Sequence, residues 1–215
     1  EETGNVQLYS YFRSSAAFRV RIALAYKGLG YSTQAVDLRA REQHGSFADI
    51  NPQMLVPFFE ENGFGLGQSL AIIEYLEDIH PTPALLPSQA KDRAMVRFMA
   101  QSIACDIHPL NNLRVLRYLK RSLAIEQSGI NDWYAHWIQE GFRGLETLVD
   151  AHGSDIRCFG ETVTLADVCL APQVWNAKSM DVDLSPFPHI CRIYEAVMEL
   201  EAFRQAAPEN QPDAA

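Results

Sequence analysis

Apolar positions recur along residues 15–28 at helical spacing: Phe18, Ile22, Ala25 and Leu29 fall on one face, at +4, +3 and +4. Ala17, Val20 and Leu24 make a second stripe, which leaves Arg19, Ala23, Tyr26 and Lys27 for solvent. A helix apolar around most of its circumference is covered on more than one side, so a sheet is expected against one face and another layer against the second. Ahead of it Val6–Ser10 alternates as a strand. Behind it Gly28 and Gly30 serve as stops, and Tyr31–Leu38 reads as a second strand. Two strands joined by a helix predict a parallel, right-handed βαβ unit. Residues 39–51 are polar and loop-rich. Val56–Glu60 and Phe64–Leu66 then flank Asn62-Gly63, a hairpin signal. Ser69–Ile79 returns to helix, with Leu70, Ile73 and Leu76 or Glu77 on one side. The expected order is β-α-β-(loop)-β-β-α, an α/β domain with a mixed sheet over residues 1–84.

Then the pattern changes. Pro81, Pro83 and Pro87 mark a boundary, with residues 85–90 as linker. No strand pattern returns across 91–215. Residues 91–121, 126–150, 164–180 and 186–204 read as helices, an all-α second domain, and the tail from Pro208 to Asp213 is expected to be extended. Pro109 interrupts the first of these helices and deprives the Cys105 carbonyl of its usual donor. Val163-Thr164-Leu165-Ala166-Asp167-Val168 reads as a capping box, with Thr164 as N-cap and Asp167 at N3, and is structural.

A net charge of -9 over 215 residues argues against nucleic-acid binding, which usually needs a basic face. No run of 18 apolar residues suggests a membrane span, and no basic and apolar leader suggests export, so a cytoplasmic location is expected. Cys105, Cys158, Cys169 and Cys191 lack C-x-x-C spacing and accompanying histidines, and are expected to be buried reduced thiols rather than metal ligands. Gly63-Phe64-Gly65-Leu66-Gly67 is mis-spaced for a dinucleotide fingerprint and reads as a hairpin turn.

Three features carry candidate chemistry. Ser14 and Ser15 stand where a strand gives way to a helix, and hydroxyls plus free N–H groups at a positive helix end suit an anion, phosphate or thiolate; the plainer reading is a capped helix. Val56-Pro57 opens a strand. A cis bond there would turn the Val56 N–H and C=O outward toward an extended, peptide-like ligand, whereas a trans proline would only mark an edge. Ser69, after Gln68, is placed as an N-cap that could receive a carboxylate or simply cap. His108, Asn112 and Arg114 flank the Pro109 kink. Arg21, between two apolar stripes, is expected to form a structural pair with a carboxylate.

The combination of Arg13-Ser14-Ser15, Arg19-Val20-Arg21-Ile22-Ala23-Leu24, Asn51-Pro52, Val56-Pro57 and Gln68-Ser69-Leu70-Ala71-Ile72-Ile73-Glu74-Tyr75-Leu76 resembles the zeta class of the cytosolic glutathione transferases. The resemblance continues through Cys105–Leu113, Ala171–Val174 and Gln211-Pro212-Asp213. It implies a thioredoxin-like glutathione-binding domain, an all-helical substrate-binding domain, a homodimer, and glutathione as cofactor. It also implies cis-trans isomerisation of dianionic maleyl acids, first of all maleylacetoacetate to fumarylacetoacetate. Maleylpyruvate isomerisation, conjugation of haloacids and non-catalytic glutathione binding are the alternatives. Carried over by position, Ser14 donates to the sulfur with Ser15 and Arg13 beside it. Gln43, Val56, Pro57, Gln68, Ser69, His108, Asn112 and Arg114 hold glutathione, while Arg13, Arg114 and Lys178 serve the substrate carboxylates. Two positions depart from the class. Ala16 replaces a cysteine, so the reactive sulfur must come from glutathione. Ser179 replaces an arginine, and Lys178 lies one residue away, about 100° around a helix.

Overall fold

The computed structural model describes residues 6–214. The chain divides into two compact units, one formed by the chain up to Ala84 together with Leu200 onward, the other by Leu85–Glu199.

In the first unit β1 (Val6–Ser10), β2 (Ser32–Ala35), β3 (Phe58–Glu61) and β4 (Phe64–Gly67) form one sheet in the order β2-β1-β3-β4. β2 runs parallel to β1, with Ala35 opposite Ser10; β3 runs antiparallel, with Phe58 opposite Tyr9. β4 closes a hairpin in which Gly67 faces Phe58. Asn62 and Gly63 have φ of 51° and 83°. Two left-handed residues in a two-residue loop match the twist of the strands they join.

Between β1 and β2 runs α1 (Ser15–Tyr26), with Ser14 as N-cap. Its far end closes on Gly28, at φ 68°. There Gly28 N–H donates to Ala25 O at 3.1 Å and Leu29 N–H to Leu24 O at 2.9 Å, a glycine-dependent helix stop. The short helix α2 (Phe47–Ile50) follows β2, and α3 (Ser69–Ile79) follows β4.

The helix α1 departs from its predicted solvent face. Arg19, Ala23 and Lys27 are buried, because α3 and a helix from the C-terminal end both pack on α1. Each buried cation finds acceptors. Lys27 Nζ donates to Glu77 Oε2 at 2.7 Å, His80 O at 2.7 Å and Pro83 O at 2.9 Å. Arg19 Nη1 donates to Ser69 Oγ at 3.2 Å. Arg21 was expected to meet a carboxylate. It donates instead to Ala206 O at 2.9 Å, Ser10 Oγ at 3.1 Å and Phe12 O at 3.0 Å. Burial lowers its pKa to about 10, against the opposing pull of Tyr31 and Asp213, so it stays charged at neutral pH.

The second unit contains α4 (Ala90–Gln101), α5 (Leu113–Arg121), α6 (Gln127–His152), α7 (Leu165–Ser179) and α8 (Pro188–Met198). Its beginning corrects the expected linker: Leu85 and Leu86 are buried, and Leu85 O accepts Leu165 N–H at 2.8 Å. Its end corrects the expected domain of 91–215, because α9 (Glu201–Ala206) and the residues after it belong to the first unit. Phe203, Ala206 and Ala207 are buried there, and the tail forms two 3₁₀ turns, Pro208–Asn210 and Pro212–Ala214, rather than an extended strand.

The predicted helix 91–121 is three conformations in succession. After α4 the chain widens into a π-helix over Ser102–Ile107, where His108 N–H reaches back to Ile103 O. It then tightens into a 3₁₀ turn over His108–Asn111, and α5 restarts after Asn112. Pro109 supplies the reason, since without its N–H the ordinary helical ladder cannot pass. Ile107 of the wide turn is buried against α6, where a Cβ on Gly141 would lie 2.2 Å from Ile107 Cγ1.

The capping box opens α7: Thr164 N–H donates to Asp167 Oδ2 at 2.7 Å, and Cys158 N–H to Asp167 Oδ1 at 2.8 Å. Burial raises the Asp167 pKa, and these hydrogen bonds oppose the rise. Cys158 and Cys169 are buried, Cys191 is partly so, and Cys105, against expectation, is exposed. Among the described residues no helix is long and apolar enough to cross a membrane.

Candidate functional site

The sheet register gathers the candidate residues of the first unit at one end. β1 leads out into Tyr11–Ser14, β3 is entered through Val56-Pro57, β4 leaves into Gln68, and α1 and α3 both begin there. Val56 packs with Tyr11, Val36 and Phe47, which ties the start of β3 to the end of β1.

Ser14 Oγ accepts the Ala17 N–H at 3.2 Å and caps α1. The hydroxyl proton remains available to an acceptor outside the helix. Ser15 is the first helical residue and is buried. Arg13 is half-buried, and its charge acts on the Tyr11 hydroxyl, whose pKa is raised chiefly by burial. Val56-Pro57 is cis, and so is Thr82-Pro83, for which the sequence carried no expectation.

At α3 the cap differs from the expected one. Gln68, not Ser69, is the N-cap, with φ 68° and ψ 113°, and it makes no side-chain cap bond. A non-glycine residue held there costs about 1–3 kcal/mol, strain that concentrates at functional positions. Gln68 Nε2 donates to Gln53 Oε1 at 2.9 Å, while Gln53 N–H donates to Asn51 Oδ1 at 3.1 Å and Asn51 Nδ2 to Leu55 O at 2.8 Å. This chain of amides braces the loop that leads to Val56. Ser69, as first residue of α3, contributes a free N–H at the positive helix end, and its hydroxyl is engaged from behind by Arg19. Gln43, in a 3₁₀ turn after β2, is buried, and its Oε1 has no hydrogen-bond partner.

In the second unit Asn112 Oδ1 accepts the Arg114 N–H at 3.1 Å and so caps α5, with its amide nitrogen left over. His108 heads the 3₁₀ turn. Lys178 Nζ stands 4.6 Å from the centre of the Tyr194 ring, and Ser179 Oγ donates to Asn176 O at 2.8 Å.

Sequence reasoning missed Arg19 behind Ser69 and the Asn51–Gln53–Gln68 brace. Arg19 gave no signal, because hydropathy reads it as solvent-facing. The brace had one, since Asn51-Pro52 is a turn former.

Residues 4–78 match the N-terminal domain of glutathione S-transferases, and residues 131–208 match the C-terminal domain. The chain is 47% identical to a probable maleylacetoacetate isomerase of Vibrio cholerae, over 96% of this chain and 97% of that one. The holo structure of a maleylpyruvate isomerase, described as a bacterial glutathione S-transferase in the zeta class, superposes with a TM-score of 0.94 at 45% identity, covering 97% of this chain and 100% of that chain. The chain belongs to the zeta class of the glutathione S-transferase family. Among its relatives, the maleylpyruvate isomerase of a Ralstonia species is 46% identical over 98% of this chain and 100% of that one. A maleylacetoacetate isomerase of Anaeromyxobacter dehalogenans, solved with glutathione bound in its active site, has a TM-score of 0.88 at 41% identity, covering 98% of both chains.

Proposed function

We propose that this zeta-class transferase is a glutathione-dependent cis-trans isomerase of maleyl acids, with maleylacetoacetate as the leading substrate and maleylpyruvate as the near variant. The observation that carries the reading is the Ser14 hydroxyl at the N-terminus of α1, at the sheet end where Val56-Pro57 leads into β3. Relatives with full-length similarity bear the names of both isomerases.

The first unit fits a γ-glutamyl tripeptide. The enclosed Gln43 Oε1 needs a donor, which a peptide amide or ammonium supplies. The Val56 backbone would hold the cysteinyl part, and Gln68 with Ser69 the γ-glutamyl carboxylate, where the α3 N-terminus and the Arg19 charge both favour an anion. When bound, glutathione supplies the nucleophilic sulfur of the reaction. Ser14 stabilises that sulfur as thiolate by donating a hydrogen bond to it, and the free N–H end of α1 adds positive potential, with Ser15 beside it. In the second unit, His108, Asn112 and Arg114 are the glutathione candidates that the zeta-class resemblance implies. Arg13, Arg114 and Lys178 are the candidates for the substrate carboxylates, and Lys178 stands over the Tyr194 ring.

One assay tests the reading. Isomerisation of both maleyl substrates is followed with and without glutathione, while total glutathione is measured. Turnover that requires glutathione and leaves its total constant supports the isomerase. Stoichiometric consumption indicates a conjugating transferase, and binding without turnover a non-catalytic module.

At the substrate end, Ser179→Arg is expected to lower KM for the dianionic substrate, by no more than about 1.5–3 kcal/mol, the worth of a charged hydrogen bond. Steady-state kinetics of Ser179→Arg and Arg13→Ala check this. No change in KM for either variant places the carboxylate elsewhere.

The enzyme acts as a cytoplasmic homodimer. Its free thiols fit a reducing compartment, and Phe64, Ile79 and Phe98 remain 48%, 41% and 53% exposed, apolar surface that a second copy can cover. Sedimentation at the mass of a single chain overturns the dimer.

A further inference from the structure

The loop that delivers Ser14 is held from the far end of the chain. Tyr11–Ser14 is closed internally by one bond, Ser14 N–H to Tyr11 O at 2.8 Å. Both backbone polar groups of Phe12 bond outside the loop. Phe12 N–H donates to Asp213 Oδ2 at 2.9 Å, and Phe12 O accepts from Arg21 Nη2 at 3.0 Å. The two peptide planes on either side of Phe12 are therefore each tied to a charged side chain. Arg21 is anchored in turn by Ser10 Oγ and by Ala206 O, so the C-terminal segment reaches this loop directly through Asp213 and indirectly through Arg21.

Asp213 is itself well placed for the task. Gln211 Nε2 donates to Gln205 O at 2.9 Å and to Ala207 O at 3.0 Å, which fixes the tail just ahead of it. The second carboxylate oxygen, Oδ1, is shielded from solvent and has no hydrogen-bond partner, while the residue as a whole is half-buried. A charged acceptor on a backbone N–H makes one of the stronger hydrogen bonds available to a loop. Its negative charge also supports the protonated state of Arg21, the other half of the clamp.

We propose that Asp213 is a positioning residue: by gripping the Phe12 N–H it sets the place of Arg13 and Ser14 for the reaction. The proposal rests on the assignment of Ser14 to the sulfur. A misplacement of about 1 Å at a catalytic group can cost on the order of a hundredfold, and the Phe12 peptide is two residues from Ser14. A merely structural staple would act differently. Its loss would lower stability and leave the chemistry of the folded enzyme as it was.

The test compares Asp213→Ala, Asp213→Asn and Asp213→Glu in the full chain with Ser14→Ala. The thiol of bound glutathione is titrated by its ultraviolet thiolate absorbance, kcat and KM are measured separately, and exchange of the Phe12 amide is followed by NMR. For Asp213→Ala the expected results are faster Phe12 exchange, a raised thiol pKa and a kcat lowered about ten- to a hundredfold with KM for glutathione little changed. Asp213→Asn, whose amide oxygen can still accept the Phe12 N–H, recovers most of the loss. If Asp213→Ala is unfolded at the assay temperature, Asp213→Glu gives the decision, because its displaced acceptor should still raise the thiol pKa in folded enzyme. An unchanged pKa and kcat in folded Asp213 variants, alongside a raised pKa in Ser14→Ala, overturns the positioning role alone. An unchanged pKa in Ser14→Ala removes the Ser14 assignment and this role with it.

Discussion

Ser14→Ala is expected to raise the pKa of bound glutathione and to slow turnover about a hundredfold, the usual loss when one preorganised donor to a developing anion is removed. Ser15→Ala is expected to do much less. The two serines are adjacent but not equivalent. Ser14 stands outside the helix as its cap, whereas Ser15 is already helical and buried. The cap complicates the comparison, because Ser14 Oγ also accepts the Ala17 N–H, and its loss costs about 1 kcal/mol of stability. Ser14→Gly separates the two effects. Glycine at an N-cap loses only a few tenths of a kcal/mol, so Ser14→Gly should keep most of the thermal stability and none of the kinetic benefit. Equal kinetic losses from Ser14→Ala and Ser15→Ala would show that the wrong hydroxyl was chosen.

Gly141→Ala is expected to be the more damaging of the conservative changes in the second unit. Alanine should favour a helix interior by about 1 kcal/mol over glycine. Here the added methyl would sit 2.2 Å from Ile107 Cγ1 and 2.3 Å from Cδ1, far inside contact distance. Ile107 is 1% exposed and belongs to the π-helix, so it has little room to withdraw. Overpacking of this kind costs about 1–3 kcal/mol, which outweighs the propensity gain. Calorimetry should show a lower Tm, by roughly 2–4 °C for each net kcal/mol lost in a chain of this size. The double variant Gly141→Ala with Ile107→Ala should be less unstable than the two single losses added together, since the truncated side chain vacates the contested space. Additive losses would show that the contact does not set the stability.

What the sequence made legible is what hydropathy and local stereochemistry encode. The strand before Ser14, the turn at Asn62-Gly63, the stop at Gly28 and the Thr164–Asp167 box all follow from local rules, and each stands in the structure. The interior placement of Arg19 and Lys27 was not legible. A periodicity analysis assigns a cation to water, while its burial is decided by partners remote in sequence: Ser69 for one, Glu77 and two carbonyls for the other. The Arg21 reading failed for a related reason. The pattern showed that its guanidinium must be satisfied but could not show that Ala206 O would do it. Pro109 announced a break in the long helix without saying that the ladder would first widen and then tighten. Of the candidate site, local signals placed Ser14 at a helix start and Val56-Pro57 at a strand start but left their roles to the resemblance, whereas the cap at Gln68 was assigned one residue late, because a positive φ on glutamine has no signature in composition.

The return of residues 200–214 to the first unit bears on the order in which the protein can be made. Domains generally fold as units during synthesis, the N-terminal one first. Here residues 200–214 of the first unit are synthesised only after the whole of the second. Until Ala206 arrives, the Arg21 guanidinium lacks one of its acceptors, and until Asp213 arrives so does the Phe12 N–H. The helices of Leu85–Glu199, although they begin later in sequence, have all of their own unit synthesised before residues 200–214 appear. The nascent chain thus carries its glutathione-binding half in an unfinished state, and the half translated second can be the half completed first.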